Sequence, residues 1–141
     1  MTIALVLDAP LLRMEHEFVF AGMRSAMGLP KDAPVLYVLP NYRSDSERVE
    51  MRDVEQGGER LRAELADIGA DIVVAFGTTA TWALCGTGSH LERLGKWQQL
   101  PTAMVMPTHH PALLCRRPEL SAESSEHLAD VLRKLGDKVK A

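Results

Sequence analysis

The stretch Ala103-Met104-Val105-Met106-Pro107-Thr108-His109-His110-Pro111-Ala112-Leu113-Leu114 decides how this chain is read. Its first half is a short apolar run that reads as a buried strand, and the run ends in a His-Pro step. Open α/β sheets place their ligands beyond the carboxyl ends of their strands, so a strand that runs into His110 delivers an imidazole to the place where chemistry is done. Proline fixes its own φ and pushes the residue before it out of the helical region. His110 is therefore expected to stand extended at the start of a loop. His109 and His110 are adjacent on an extended segment and point to opposite sides, so they are not expected to share a metal ion, and no metal site is predicted.

Outward from this stretch, runs of strand length at 2–8, 34–39, 71–76 and 102–107 alternate with segments of helical period at 14–28, 54–68, 79–85 and 121–139. Nearly continuous apolar strands separated by helices imply a sheet covered on both faces. The pattern predicts a three-layer α/β/α fold around a central, four-stranded, mostly parallel sheet with right-handed crossovers. The strand ends then carry Asp8-Ala9-Pro10, Pro40-Asn41-Tyr42-Arg43, Gly77-Thr78-Thr79 and Thr108-His109-His110-Pro111 to one rim. Gly77-Thr78-Thr79 has two readings: free N–H groups that take a phosphate, or a tight turn that lets a helix pack closely. The polar residues 44–50, with Gly57-Gly58 soon after, read as a mobile connection into the second long helix.

With 141 residues, 46% hydrophobic and 25% charged, the chain is expected to form one domain, 1–141, with a full core. Cys85 and Cys115 lie far apart without a CxxC spacing. They read as apolar filler in a reducing cytoplasm rather than as a disulfide or structural zinc pair. No basic leader precedes Thr2-Ile3-Ala4-Leu5-Val6-Leu7, and no apolar run approaches the ~18 residues of a membrane span, so a soluble, cytoplasmic protein is expected. A net charge of −3 argues against indiscriminate binding to nucleic acid but leaves room for a local basic rim of Arg43, Arg116 and Arg117. A monomer is the default.

Five segments taken in order carry a family resemblance: Leu7-Asp8-Ala9-Pro10, Glu17-Phe18-Val19-Phe20-Ala21-Gly22, Asp71-Ile72-Val73-Val74-Ala75-Phe76-Gly77, Leu94-Gly95-Lys96-Trp97 and His109-His110-Pro111-Ala112-Leu113-Leu114-Cys115-Arg116. Together they resemble the uracil-DNA glycosylase superfamily, especially its bacterial families four and five. The resemblance covers nearly the whole chain and is most specific in its C-terminal half. It implies an enzyme that flips a uracil, or a related damaged or modified base, out of DNA and hydrolyses its N-glycosidic bond.

The resemblance also implies roles. His110 would donate a hydrogen bond to the departing base, and Asp8 would help place the attacking water. Phe18 would stack on the base, with Ala9 and Pro10 of the first motif beside it. Asn41 lies close to the family's edge-reading asparagine, although strict alignment of the strand puts Pro40 there. Leu113 and Leu114 resemble the apolar wedge that fills the gap left by a flipped base, with Arg116 or Arg117, and Arg43 across the rim, on the phosphates. Trp97 is the tryptophan nearer the site by its Gly-Lys-Trp turn.

The chain departs from the pattern in three places. Leu7 and Leu11 replace the glycines that open and close the first motif, the chain is shorter than those branches, and their cluster-binding cysteines are absent. No iron-sulfur cluster is expected, because two cysteines cannot supply four thiolates. The glycosylase reading therefore stands beside a second: a catalytically inactive member of the same fold, serving as a DNA-binding or replication and repair interaction module.

Overall fold

The computed structural model describes residues 2–29, 32–42 and 49–140. Strand β1 (Ile3–Leu7) leads through a bend to helix α1 (Met14–Ala26), and β2 (Val35–Tyr37) is followed by the long α2 (Met51–Ile68). Then come β3 (Ile72–Phe76), α3 (Thr78–Cys85), the short α4 (His90–Arg93), β4 (Gln98–Gln99) and β5 (Met104–Thr108). A six-residue α5 (Pro111–Arg116), a 3-10 turn at Pro118–Leu120 and α6 (Ser121–Lys140) complete the order. Among the described residues no helix is long and apolar enough to cross a membrane.

The strands form one sheet in the order β2-β1-β3-β5-β4. All neighbours are parallel except β4, which runs antiparallel to β5 through Gln98 opposite Val105 and Gln99 opposite Met104. The sheet is therefore five-stranded rather than four-stranded. Two polar residues at an edge carry neither an apolar run nor an alternation, which is why β4 left no signal in the sequence.

Period-two geometry sorts the buried strands onto two faces. Ala4, Val6, Val73, Ala75 and Val105 meet α2 and α3 through Leu61, Leu65, Ala80 and Leu84. Ile3, Leu5, Leu7, Ile72, Val74, Phe76 and Met106 meet α1 and α6 through Phe20, Met23, Leu128 and Val131. Every residue of β1 and β3 is buried, which is why both read as unbroken apolar runs.

Helix α2 begins at Met51, three residues ahead of the expected start, and Gly57-Gly58 lie within it as buried helical residues rather than in a connection. A Cβ on Gly57 would fall on the carbonyl oxygen of Val38, and one on Gly58 on that of Ala83. The two glycines let α2 approach β2's end and α3 at backbone distance. Of the polar segment 44–50 read as a connection, residues 44–48 lie outside the described residues, as does Arg43.

Candidate active site

The parallel strands end on one rim, and there β1 hands over Asp8, β3 hands over Gly77 and β5 hands over His109 and His110. His110 Nε2 lies 2.9 Å from Asp8 Oδ1, across 102 residues of sequence. The imidazole is held from its other side as well, because the Ala112 backbone N–H donates to Nδ1 at 3.0 Å. A ring nitrogen that accepts from an N–H has its lone pair exposed to it, so in the neutral ring the proton sits on Nε2, facing the Asp8 carboxylate.

His110 is thus the N-cap of α5, extended at φ −70° and ψ 141°, with Pro111 as the first helical residue. Proline is preorganised for that position, so the His-Pro step opens a helix where the sequence pointed to a loop. Leu113, Leu114, Cys115 and Arg116 consequently ride on α5 rather than on a flexible loop.

A cavity of about 210 Å³ opens beside the pair, lined by Asp8 and His110, by Phe76 with Gly77, Thr78 and Thr79, and by Ala112, Leu113 and Arg116 from α5. Its volume is that of roughly seven liquid waters. Gly77 has φ +95°, and its missing side chain leaves room for the His110 ring. Its N–H donates to the Thr108 carbonyl at 2.9 Å, which ties the two strand ends together. The first turn of α3 carries backbone N–H groups unpaired within the helix, so this wall favours a negatively charged ligand group.

The other residues expected at the site are placed as follows. Ala9 is 2% exposed just behind Asp8, whereas Pro10 lines a separate cavity with Leu7, Leu11 and Phe20. Neither Leu7 nor Leu11 lines the cavity at His110, since both are packed into the core between the sheet and α1. Phe18 is 80% exposed on α1 and does not line that cavity; the aromatic side chain that does is Phe76, whose edge meets Phe20 at 5.2 Å between centroids. Asn41 is exposed beside a different pocket with Tyr42, Asp53 and Arg60. Leu113 lines the cavity, while Leu114 is 6% exposed and belongs to the core. Arg116 and Arg117 are exposed, and Arg117 is turned to Glu119 at 2.9 Å. Trp97 packs partly buried under Lys134, away from the cavity.

Sequence reasoning missed a buried polar network behind the rim. Thr108 Oγ1 lies 2.9 Å from His127 Nδ1 and 3.1 Å from Ser124 Oγ. Glu123 Oε1 is 3.5 Å from His109 Nε2 and 3.8 Å from His127 Nε2. Burial pushes His127 below the usual imidazole range, Glu123 pulls it back and His109 lowers it further. The signal available in sequence was the spacing Ser124, His127, which sets two polar side chains on the inward face of a helix, with Glu123 at its edge.

Residues 16–136 match the family model of the Uracil DNA glycosylase superfamily. The matched stretch starts within α1, so it includes His110 and leaves Asp8 just ahead of it. No curated protein matches the chain.

Proposed function

The chain belongs to the uracil-DNA glycosylase superfamily, and from that membership we propose that it hydrolyses the N-glycosidic bond of uracil, or of a related modified base, in DNA. The observation that carries the proposal is the Asp8–His110 pair, 2.9 Å apart at the wall of a cavity of about 210 Å³. Such a reaction needs a donor aimed at the oxygen of the leaving base and an acceptor near the sugar carbon. The pair supplies one of each.

In the free protein the Nε2–H of His110 is held by Asp8. An entering base takes over that donor through its carbonyl oxygen, which leaves the carboxylate to face the sugar. As the C1′–N bond breaks, its electron pair goes to the base, and the negative charge collects on the oxygen bonded to His110. The sugar becomes cation-like and is stabilised by the Asp8 carboxylate. Water adds at C1′ and its proton leaves through Asp8 to end on the departing base, so the products are the free base and an abasic sugar. Leu113 stands where a wedge enters the emptied stack, and Arg116 with the first turn of α3 faces the phosphates.

A single-stranded oligonucleotide with one uracil is expected to acquire an alkali-labile abasic site. Absence of cleavage with uracil, hypoxanthine and hydroxymethyluracil substrates at high protein concentration overturns the proposal. One observation favours the second reading, a catalytically silent interaction module. Phe18 and Met14, each 80% exposed and one helical turn apart on α1, present apolar side chains outside the cavity, where a stacking residue was expected within it. Under that reading a pull-down recovers a stable replication or repair partner, and His110→Ala leaves its capture intact.

A further inference from the structure

The Gly95-Lys96-Trp97 turn and the polar network of α6 meet at the end of β5, and the proposed reaction uses neither. We propose that together they form a clamp that positions His110, and that Thr108 is the positioning residue through which the clamp acts. This deepens the glycosylase reading and rests on it for its kinetic test.

Thr108 is the last residue of β5, completely buried at the end of a strand whose other members are Met, Val and Pro. A hydroxyl in such a place needs partners, and α6 brings two: Nδ1 of His127 at 2.9 Å and Oγ of Ser124 at 3.1 Å. The surroundings fix the direction of each bond. The Glu123 carboxylate, 3.8 Å from Nε2 of His127, holds the proton of the neutral ring on that side, which leaves Nδ1 to accept from the Thr108 hydroxyl. The Thr108 oxygen in turn accepts from Ser124, so the hydroxyl both donates and accepts.

The turn closes on the same imidazole. Gly95 has φ +73°, its N–H donates to the Pro107 carbonyl at 3.0 Å, and a Cβ on it would fall 2.5 Å from Cδ2 of His127. Glycine is what lets the turn lie on the ring while bonding β5. Trp97 fastens the turn to the same helix, with Lys134 Nζ 5.3 Å from its ring centroid. On the other edge of β5, the Gly77 N–H donates to the Thr108 carbonyl and Gly77 lies against His110. Pro107 and Thr108 are thus held from both edges and from the helix layer, and His109 and His110 follow directly. A shift of the strand end passes into the His110 ring, and misplacing a reacting group by about 1 Å costs on the order of 10²-fold.

The test compares kcat and KM for uracil excision from a single strand, well below the melting temperature of each variant. Thr108→Val keeps the shape but removes the hydroxyl, and is expected to lower kcat about ten- to hundredfold with KM nearly unchanged. Thr108→Ser keeps the hydroxyl and is expected to restore most of that loss. A native kcat in Thr108→Val, or a Thr108→Ser variant as slow as Thr108→Val, overturns the clamp and leaves the glycosylase reading standing. If Thr108→Val does not fold, His127→Asn and His127→Leu take the place of the pair, since asparagine keeps an acceptor for Thr108 and leucine does not; equal kcat in the two overturns the clamp. If the native protein cleaves no strand, the glycosylase reading fails. Nitrogen NMR of the imidazoles then decides the clamp by itself: the His110 ring resonances are expected to move in Thr108→Val and to hold in Thr108→Ser, and native resonances in Thr108→Val overturn it.

Discussion

A Cβ placed on Gly77 would come within 3.1 Å of the His110 Cβ, so the turn leaving β3 and the imidazole ending β5 fit against each other without space to spare. Gly77 also holds φ +95°, a conformation that disfavours any side chain. With ψ 176° the backbone there lies in a region essentially reserved for glycine, so Gly77→Ala is expected to destabilise the fold by roughly 1–3 kcal/mol from backbone strain alone. It is also expected to displace His110, so that activity falls further than stability. Urea melts and kcat/KM measured on the same preparation check this; an alanine variant of native activity would show that the contact does not position the ring.

The pairing of Asp8 with His110 makes separable kinetic predictions. On the proposed mechanism His110→Ala removes the donor to the leaving base, and it is expected to lower kcat by about 10²–10³-fold, as loss of an oxyanion donor does. Asp8→Asn keeps the shape but removes the acceptor, with an expected loss of about 10²–10⁴-fold. Because the two act on one transition state, the double variant is expected to fall far short of the product of the single effects. Single-turnover excision assays on the three variants read this directly, and strictly multiplicative losses would place the two residues in independent roles.

What the sequence makes legible here follows from burial. β1 and β3 are covered on both faces, so Ile3 to Leu7 and Ile72 to Phe76 announce themselves as apolar runs, and the rim residues follow from where those runs stop. Gln98–Gln99 has no apolar face, so the fifth strand was silent. The pairing of Asp8 with His110 joins residues whose closeness depends on the strand order β1-β3-β5, which local patterns do not encode. Phe18 fell on a helix surface because α1 starts at Met14, whereas a motif match says nothing about which way a helical face turns.

The glycine pair in α2 gives a stability prediction with an internal control. Gly57→Ala and Gly58→Ala each drive a methyl into a backbone carbonyl that cannot rotate away, and each is expected to cost at least the ~1–3 kcal/mol typical of overpacking. Gly22→Ala, in the interior of α1 with nothing within 4 Å of its added Cβ, is expected to stabilise by roughly 0.5–1 kcal/mol. Chemical denaturation of the three variants settles the signs. Neutral behaviour at Gly57 or Gly58 would mean that α2 can retreat from the sheet.

The buried histidines set a pH dependence. Burial lowers His127, and burial followed by the nearby His109 and Arg93 lowers His90. The unfolded chain protonates both near the ordinary value of about 6.5, while the native state resists, so the unfolded state binds more protons as the pH falls. The stability they contribute is complete above about pH 6.5 and is lost as the pH drops toward their native values. The urea midpoint is accordingly expected to fall between about pH 7.5 and pH 5.5, above the carboxylate range. His127→Asn, which retains a polar partner for Thr108, is expected to flatten that slope; an equally steep profile in the variant would assign the dependence elsewhere.

The two leucines of α5 separate wedge from core. Leu114 is 6% exposed and packs with the α1 and α6 residues, so Leu114→Ala is expected to cost about 2–5 kcal/mol and to weaken activity only through loss of folded protein. Leu113 lines the cavity mouth and is only partly buried, so Leu113→Ala is expected to leave the melting temperature nearly unchanged. On the proposed mechanism its effect belongs to base extrusion, which costs a few kcal/mol in a duplex and little in a single strand. Excision from double-stranded substrates is therefore expected to drop about tenfold or more, with a much smaller loss on single strands. Equal losses on the two substrates would show that Leu113 shapes the cavity rather than filling the vacated stack.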